Sequence, residues 1–251
     1  VTPLRSVRAT RYVTPLREGG SLPGLIEADD DGLYVMKFRG AGQGAAALVA
    51  EVIAGELARA AGLPVPELVL AELDPALARA EPDVEIWELA EASVGLNLGV
   101  DFLPGALPFT AAARPAPQFA ADVVWLDALV MNVDRTPRNP NLLVWHDRTW
   151  LIDHGAAFFR QHGARPVAEA ARAPLPMIAD HVLLPYAGPL AEADDRLASL
   201  VGEASARAVA AVPDAWLGAD PAARRADFQA FLDARLAAPR TFVEEAERGR
   251  P

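Results

Sequence analysis

The sequence contains no cysteine, which excludes disulfides, thiolate metal sites and a cysteine nucleophile. Positive charge is scarce: 23 Lys and Arg stand against 34 Asp and Glu, giving a net charge of −11. Such a balance argues against nucleic acid as a partner, because its phosphate backbone is held by Lys and Arg. A single nucleotide is a different matter, since a few local cations and a metal suffice for it. The stretch Val1-Thr2-Pro3-Leu4-Arg5 lacks the apolar core of a signal peptide. The most apolar helical stretch, Ala45 to Leu63, is interrupted by Glu51, Glu56 and Arg59 and cannot span a bilayer. These absences predict a cytoplasmic protein with no membrane span. The four histidines, His146, His154, His162 and His181, form neither H-x-x-x-H nor H-E-x-x-H, which argues against a zinc hydrolase. No G-x-S-x-G is present for a serine hydrolase, and no G-x-x-x-x-G-K-S/T for a Walker-type phosphate site.

What is present is ample apolar material. At 251 residues and 52% hydrophobic composition the chain can bury a substantial core, as one large or two small domains. The first part reads as β-rich. Strands are expected at Ser6–Val13, Leu25–Glu27, Leu33–Phe38, Leu68–Glu72 and Gly95–Leu103, with tight turns such as Asp29-Asp30-Asp31-Gly32 between them. One long helix is expected from Ala45 to Ala61, stopped by Gly62, and a helical run from Pro75 to Ala92. From Gln118 to Met131 an apolar helix with Phe119, Val123, Leu126 and Val130 on one face leads into a polar loop. After Phe159 the pattern is mainly helical. Trp125, Trp145, Trp150 and Phe158 read as core.

The polar loop carries the chemistry: Asp134-Arg135-x-x-x-Asn139-x-Asn141, then Ile152-Asp153-His154-Gly155. Phosphoryl transfer asks for little covalent work from a protein. It needs hard oxygen ligands for a metal, a cation on the phosphates and a carboxylate at the attacking hydroxyl. A hairpin between the two motifs would bring them together. With His146-Asp147-Arg148 as a three-residue turn, Trp145 opposes Thr149 and Asn141 opposes Asp153, so Asp134, Asn139, Asn141 and Asp153 gather at the hairpin's open end.

Lys37 sits between Met36 and Phe38 on the clearest strand. It reads either as an exposed edge lysine or as a lysine for nucleotide phosphates. Glu51 is its best partner on the following helix, ahead of Glu56. Two glycine-rich loops, Gly19-Gly20-Ser21 and Gly40-x-Gly42-x-Gly44, could cover phosphates with backbone amides. The first is preferred because it joins two strands ahead of Lys37. His154 is expected to pack or hydrogen-bond within its loop.

These residues resemble the HipA-like kinases, most closely a compact bacterial branch, and the active-site loops are also similar to those of type II phosphatidylinositol 4-kinases. The resemblance rests on Gly19-Gly20-Ser21-Leu22-Pro23, Tyr34-Val35-Met36-Lys37-Phe38, Glu51, Leu63-Pro64-Val65-Pro66-Glu67, Gly95-Leu96-Asn97-Leu98-Gly99, Phe102-Leu103-Pro104-Gly105, Asp134 to Leu143 and Leu151 to Phe158. It implies an α+β, two-lobed protein-kinase-like fold. Residues 1–103 would form a β-rich N-lobe with one long helix, 100–105 the hinge and 104–251 a mainly helical C-lobe, with ATP in the cleft and Mg²⁺ as the metal. By the same resemblance Asp134 is the catalytic aspartate, Lys37 the phosphate lysine with Glu51, and Asn139 and Asp153 the metal ligands. Gly20 and Ser21 cover the nucleotide, and Asp101, Phe102 and Leu103 line its base. Asn141, Arg135 and His154 support the site. Hairpin register favours Asn141 opposite Asp153, whereas family spacing favours Asn139 on the metal. The implied activity is γ-phosphoryl transfer to a hydroxyl, most closely a protein Ser/Thr. A small-molecule or lipid kinase, a nucleotide-binding pseudokinase acting on partners, and adenylyl transfer are the other readings. Here Asn132-Val133 precede the aspartate where protein kinases place His-Arg, and no A-P-E element is evident.

Overall fold

The structure, a computed structural model, describes residues 4–16, 22–42, 44–79, 83–159 and 167–250. The chain forms two compact units. One comprises Val1–Val49 with Pro66–Pro104, the other Ala50–Val65 with Gly105–Pro251. Among the described residues no helix is long and apolar enough to cross a membrane.

In the first unit β1 (Arg5–Pro15), β2 (Gly24–Ala28), β3 (Leu33–Lys37), β4 (Leu68–Leu73) and β5 (Gly95–Asp101) close into a barrel in the order β1-β2-β3-β5-β4. Every neighbouring pair is antiparallel except β1 and β4, which run parallel with Arg5 opposite Val69. Period-two alternation fills the core: Ile26, Ala28, Tyr34, Met36, Phe38, Val69 and Ala71 are buried together. Closure removes the open sheet edges that would otherwise invite another strand. The helical run expected over Pro75–Ala92 is two helices, α2 (Pro75–Arg79) and α3 (Val84–Ala92).

Between β3 and the long helix α1 (Ala45–Ala60) runs the second glycine-rich loop. Its glycines have two causes: Gly42 and Gly44 take positive φ, of 50° and 65°, while Gly40 is set by packing. The Gly40 amide donates to Ser93 Oγ at 3.0 Å, and a Cβ on Gly40 would lie 2.9 Å from that oxygen and 3.0 Å from the Ala92 Cβ. Buried Asn97 holds the preceding residue, accepting from the Arg39 amide at 2.8 Å while donating to the carbonyls of Ser93 and Gly95. Helix α1 ends as expected at Gly62, whose φ of 75° lets the Leu63 amide bond back to the Ala58 carbonyl at 3.0 Å.

The second unit is built around α4 (Pro117–Val130). Sequence periodicity gave this helix one apolar face, yet every residue from Ala120 to Val130 is buried, Asp122 and Asp127 included. Among the described residues the unit also contains the Ala50–Ala60 part of α1 and the helices α5 (Val167–Arg172), α6 (Leu190–Ala210), α7 (Pro221–Leu236) and α8 (Thr241–Gly249). Trp125 meets Phe242 edge-on with centroids 5.6 Å apart, and Phe158 meets Phe228 and Phe231 at 5.5 and 5.6 Å. Trp125 and Phe158 are core as expected, whereas Trp145 and Trp150 are only half-buried. Three short strands, β6 (Leu107–Pro108), β7 (Leu142–Trp145) and β8 (Arg148–Leu151), form a small sheet in that order.

Candidate active site

Helix α4 stops abruptly at Met131, which takes the left-handed conformation with φ 54° while the Asn132 amide returns to the Asp127 carbonyl at 2.8 Å. The chain is thereby redirected into Asn132–Arg135. Thr136 and Asn139 then exchange backbone hydrogen bonds, both at 3.1 Å, around Pro137-Arg138. A proline at the second position of such a turn is pre-set for it. This turn explains the five-residue spacing of the motif: it folds Asn139 back onto Asp134. The Asn139 side-chain amide donates to Asp134 Oδ2 at 2.8 Å, and that of Asn141 lies 3.4 Å from the same oxygen.

The hairpin supplies the second carboxylate, in a register that differs from the expected one. Leu142 pairs with Leu151, Leu143 with Trp150, Val144 with Thr149 and Trp145 with Arg148. The turn is therefore two residues, His146-Asp147, with φ of 48° and 58°. Positive φ at both positions is the type I′ geometry whose twist matches a hairpin. Asn141 consequently stands opposite Ile152 rather than Asp153, and its carbonyl accepts the Ile152 amide at 3.1 Å. Gathering survives the slip because Asn141 and Asp153 both turn left-handed, with φ of 49° and 56°. The Asn141 amide nitrogen reaches the Asp153 carbonyl at 3.5 Å, the limit of a hydrogen bond. Asp134, Asn139, Asn141 and Asp153 thus sit at one end of the hairpin.

His154 and Glu51 are buried neighbours in this unit, 1% and 2% exposed, with His154 Nδ1 3.8 Å from Glu51 Oε1. The Leu151 amide donates to the Pro64 carbonyl at 2.8 Å, so the segment after α1 is bonded to β8.

Two residues that sequence reasoning gave no place in the site, Asp127 and His181, lie beneath the motif. Asp127, wholly buried, accepts from Asn132 Nδ2 on Oδ1 at 3.0 Å and from Arg135 Nε on Oδ2 at 2.6 Å. His181 Nε2 lies 3.0 Å from the same Oδ2. The Leu183 amide donates to His181 Nδ1 at 3.1 Å, which fixes the neutral tautomer carrying its proton on Nε2. Arg135 Nη1 also donates to the carbonyls of Asn141 and Ile152, the latter at 3.2 Å. Burial alone would raise the Asp127 pKa, but the Arg135 charge and the His181 hydrogen bond reverse it and hold the carboxyl well below its ordinary range. Burial lowers the His181 pKa and outweighs the pull of Asp127. A signal existed: an aspartate amid the apolar run Trp125 to Val130 is rarely buried unless paired.

In the barrel unit, Lys37 is half-buried on β3 opposite Leu98, on the other face of the strand from Met36. It is the chain's single lysine; the other 22 Lys and Arg positions are all arginine. Gly20 and Ser21 of the preferred phosphate loop lie outside the described residues. At the proposed hinge two amides are already committed: that of Asp101 to the Glu67 carbonyl at 2.8 Å and that of Phe102 to the Leu33 carbonyl at 3.0 Å. Within the segment 101–103 this leaves the Leu103 amide for a base contact by a backbone N–H. The Asp101 carboxyl is pushed above its ordinary value by burial first and by neighbouring Glu67 second.

The donor set suits a hard divalent cation. With its nitrogen on Asp134, Asn139 keeps its carbonyl oxygen for a ligand, and Asp153 offers carboxylate oxygens. Among the described residues no group of three or more His, Asp or Glu forms a metal cage.

A family model described as HipA-like kinase matches residues 10–238. Among solved structures, the Helicobacter pylori proinflammatory kinase CtkA is similar with a TM-score of 0.58 at 11% identity, over 98% of this chain and 96% of that one. The Golgi casein kinase aligns with a TM-score of 0.49 at 13% identity, over 99% of this chain and 72% of that one. Its crystal structure with Mn/ADP bound gives 0.47 at 13% identity, over 98% and 74%. No curated protein matches the chain in sequence.

Proposed function

The chain belongs to the HipA-like kinase family, and from that premise we propose that it transfers the γ-phosphoryl group of ATP to a hydroxyl, with a protein serine or threonine as the acceptor. The observation that carries this reading is the cluster at the hairpin end, where Asp134 is bonded to Asn139 at 2.8 Å beside the turn bearing Asp153. In this reading Asp134 takes the acceptor's proton as its oxygen bonds to the γ-phosphorus and the bond to the β-phosphate oxygen breaks, releasing ADP. Asn139, through its side-chain carbonyl, and Asp153 would hold Mg²⁺, with Asn141 as a supporting neighbour. When bound, the metal offsets the negative charge of the phosphates. Lys37 contacts those phosphates, paired with Glu51. Gly20 and Ser21 cover them, and the Asp101–Leu103 segment meets the base.

We read the two units as the two lobes of a kinase, with the hinge near 100–105, and the cytoplasm, where ATP is at hand, as the working compartment. The test is to incubate the chain with Mg²⁺ and ATP labelled at the γ or, separately, the α position, alongside Asp153→Ala. Label from γ alone, lost in the variant, is the expected result. Label from α would mean adenylyl transfer, and nucleotide binding without transfer would favour a pseudokinase. Failure to bind Mg–ATP would end the reading. Phosphate found on a lipid or small molecule rather than protein would change the acceptor.

A further inference from the structure

Resting on the kinase reading above, we propose that Asp127 is the positioning residue of the phosphotransfer site, setting through Asn132 and Arg135 the spacing between Asp134 and the turn that carries Asp153. Two routes leave its carboxylate. On one, Oδ1 holds Asn132 Nδ2 at 3.0 Å, and Asn132 Oδ1 accepts the Asp134 amide at 3.2 Å. On the other, Oδ2 holds Arg135 Nε at 2.6 Å, and Arg135 Nη1 donates to the carbonyls of Asn141 and Ile152. Asp134 is therefore held on both sides by residues bonded to one buried carboxylate, and the second route ends on the peptide that leads into Asp153. His181 adds its Nε2–H to Oδ2, and the Arg135 carbonyl accepts the Val182 amide at 3.0 Å, so a third segment closes over the pair.

Energetics points the same way. The Asp127 and Arg135 side chains are both 0% exposed. Burying such a pair costs much of what the pairing returns, and apolar residues of like volume often hold a core as well or better. What the charged pair supplies is direction. A guanidinium carries its donors in a rigid planar fork, and a carboxylate that fixes one edge aims the other. An apolar pair could fill this space but could not aim at two carbonyls.

That contrast gives the test, on the full chain with Mg–ATP, reading ADP release. Asp127→Leu and Arg135→Met alone each strand a buried charge and lower the melting midpoint. The double variant restores the midpoint. Its kcat stays lower by about 100-fold, the cost of misplacing reacting groups by about 1 Å, with KM for ATP within about threefold of the parent. Asp127→Asn, which keeps the shape but turns a donor toward its neighbours, shows the same split at smaller amplitude. A double variant with kcat restored to within about threefold, or an Asp127→Asn enzyme with parental kcat, would overturn the proposal, because the pair would then be packing alone. A second readout needs no activity. In Asp127→Asn and in the double variant, amide hydrogen exchange at Asp134 and Ile152–His154 is expected to quicken at least about tenfold while α6 and α7 stay protected. Unchanged exchange there overturns the positioning role. If exchange quickens as expected but the parent chain releases no ADP, the kinase reading fails and the positioning role of Asp127 stands.

Discussion

The side-chain amide of Asn139 donates to Asp134 Oδ2 at 2.8 Å, and this bond closes the Thr136–Asn139 turn over the aspartate. It also decides which end of the amide faces away. Removing the side chain takes away a proposed metal ligand and the orientation of Asp134 together. Asn139→Ala should weaken magnesium dependence by about 10- to 100-fold, a range usual for groups that orient a metal site. Asn141→Ala should do less, since its amide lies farther from Asp134, at 3.4 Å. Magnesium titrations of phosphoryl transfer separate the two. A larger shift in Asn141→Ala would move the ligand role to Asn141.

The single lysine offers a chemical test without mutagenesis. An amine-reactive acyl phosphate of ATP should modify Lys37 and leave no other side chain labelled, because every other basic Lys or Arg position is arginine. Excess ATP should protect it. Peptide mass mapping reads the result, and labelling confined to the N-terminal amine would remove Lys37 from the phosphates. Lys37→Arg keeps the charge but exchanges a compact ammonium for a broad fork, and should lower transfer about 100-fold.

Acid should destabilise the fold in two stages. His181 is buried neutral with its pKa held down, so the unfolded chain takes up a proton that the folded chain refuses. Stability is full above the ordinary imidazole value of about 6.5 and falls as pH drops below it. Asp127 stays ionised when folded, so a second loss begins below the ordinary carboxyl value of about 4. Each group contributes at most about 1.4 kcal/mol per pH unit. Urea midpoints at a series of pH values should show the first limb in the parent and a shallower one in His181→Gln. Identical slopes would exclude His181 as its source.

The hairpin tip can be improved. Asp147 holds φ at 58°, where a side chain is strained and glycine is not. Asp147→Gly should stabilise the chain by about 1 kcal/mol, a rise of roughly 2–4 °C in melting midpoint for a chain of this size. Calorimetry checks it. A fall in midpoint would mean that the Asp147 side chain contributes more than its backbone costs.

Local chemistry made parts of the fold and site readable in advance. Alternation around Met36 set the face of Lys37, Gly62 marked the end of α1, and the Asp134-to-Asn139 spacing reflects a proline turn that needs nothing beyond its own residues. Hairpin register was not readable, because His146-Asp147 lacks the Asn-Gly signature that separates a two-residue turn from a three-residue one. The need for glycine at position 40 was not readable either, because it comes from contacts with Ala92 and Ser93, far along the chain. Asp127 stayed hidden because its partners are 5, 8 and 54 residues away, and only the first two are near enough to suspect. Parallel closure of β1 on β4 likewise depends on a pairing that no local pattern announces.

The helical unit is discontinuous in sequence: it takes Ala50–Val65 from within the stretch that otherwise makes the barrel. A gene fragment beginning at Gly105 would therefore encode the Asp134–Asn141 loop without the Pro64 carbonyl that receives the Leu151 amide and without the Glu51 carboxylate beside His154. Moving this unit whole into another chain therefore takes two splices rather than one: a single splice at Gly105 would carry the Asp153 turn and leave the Ala50–Val65 segment behind.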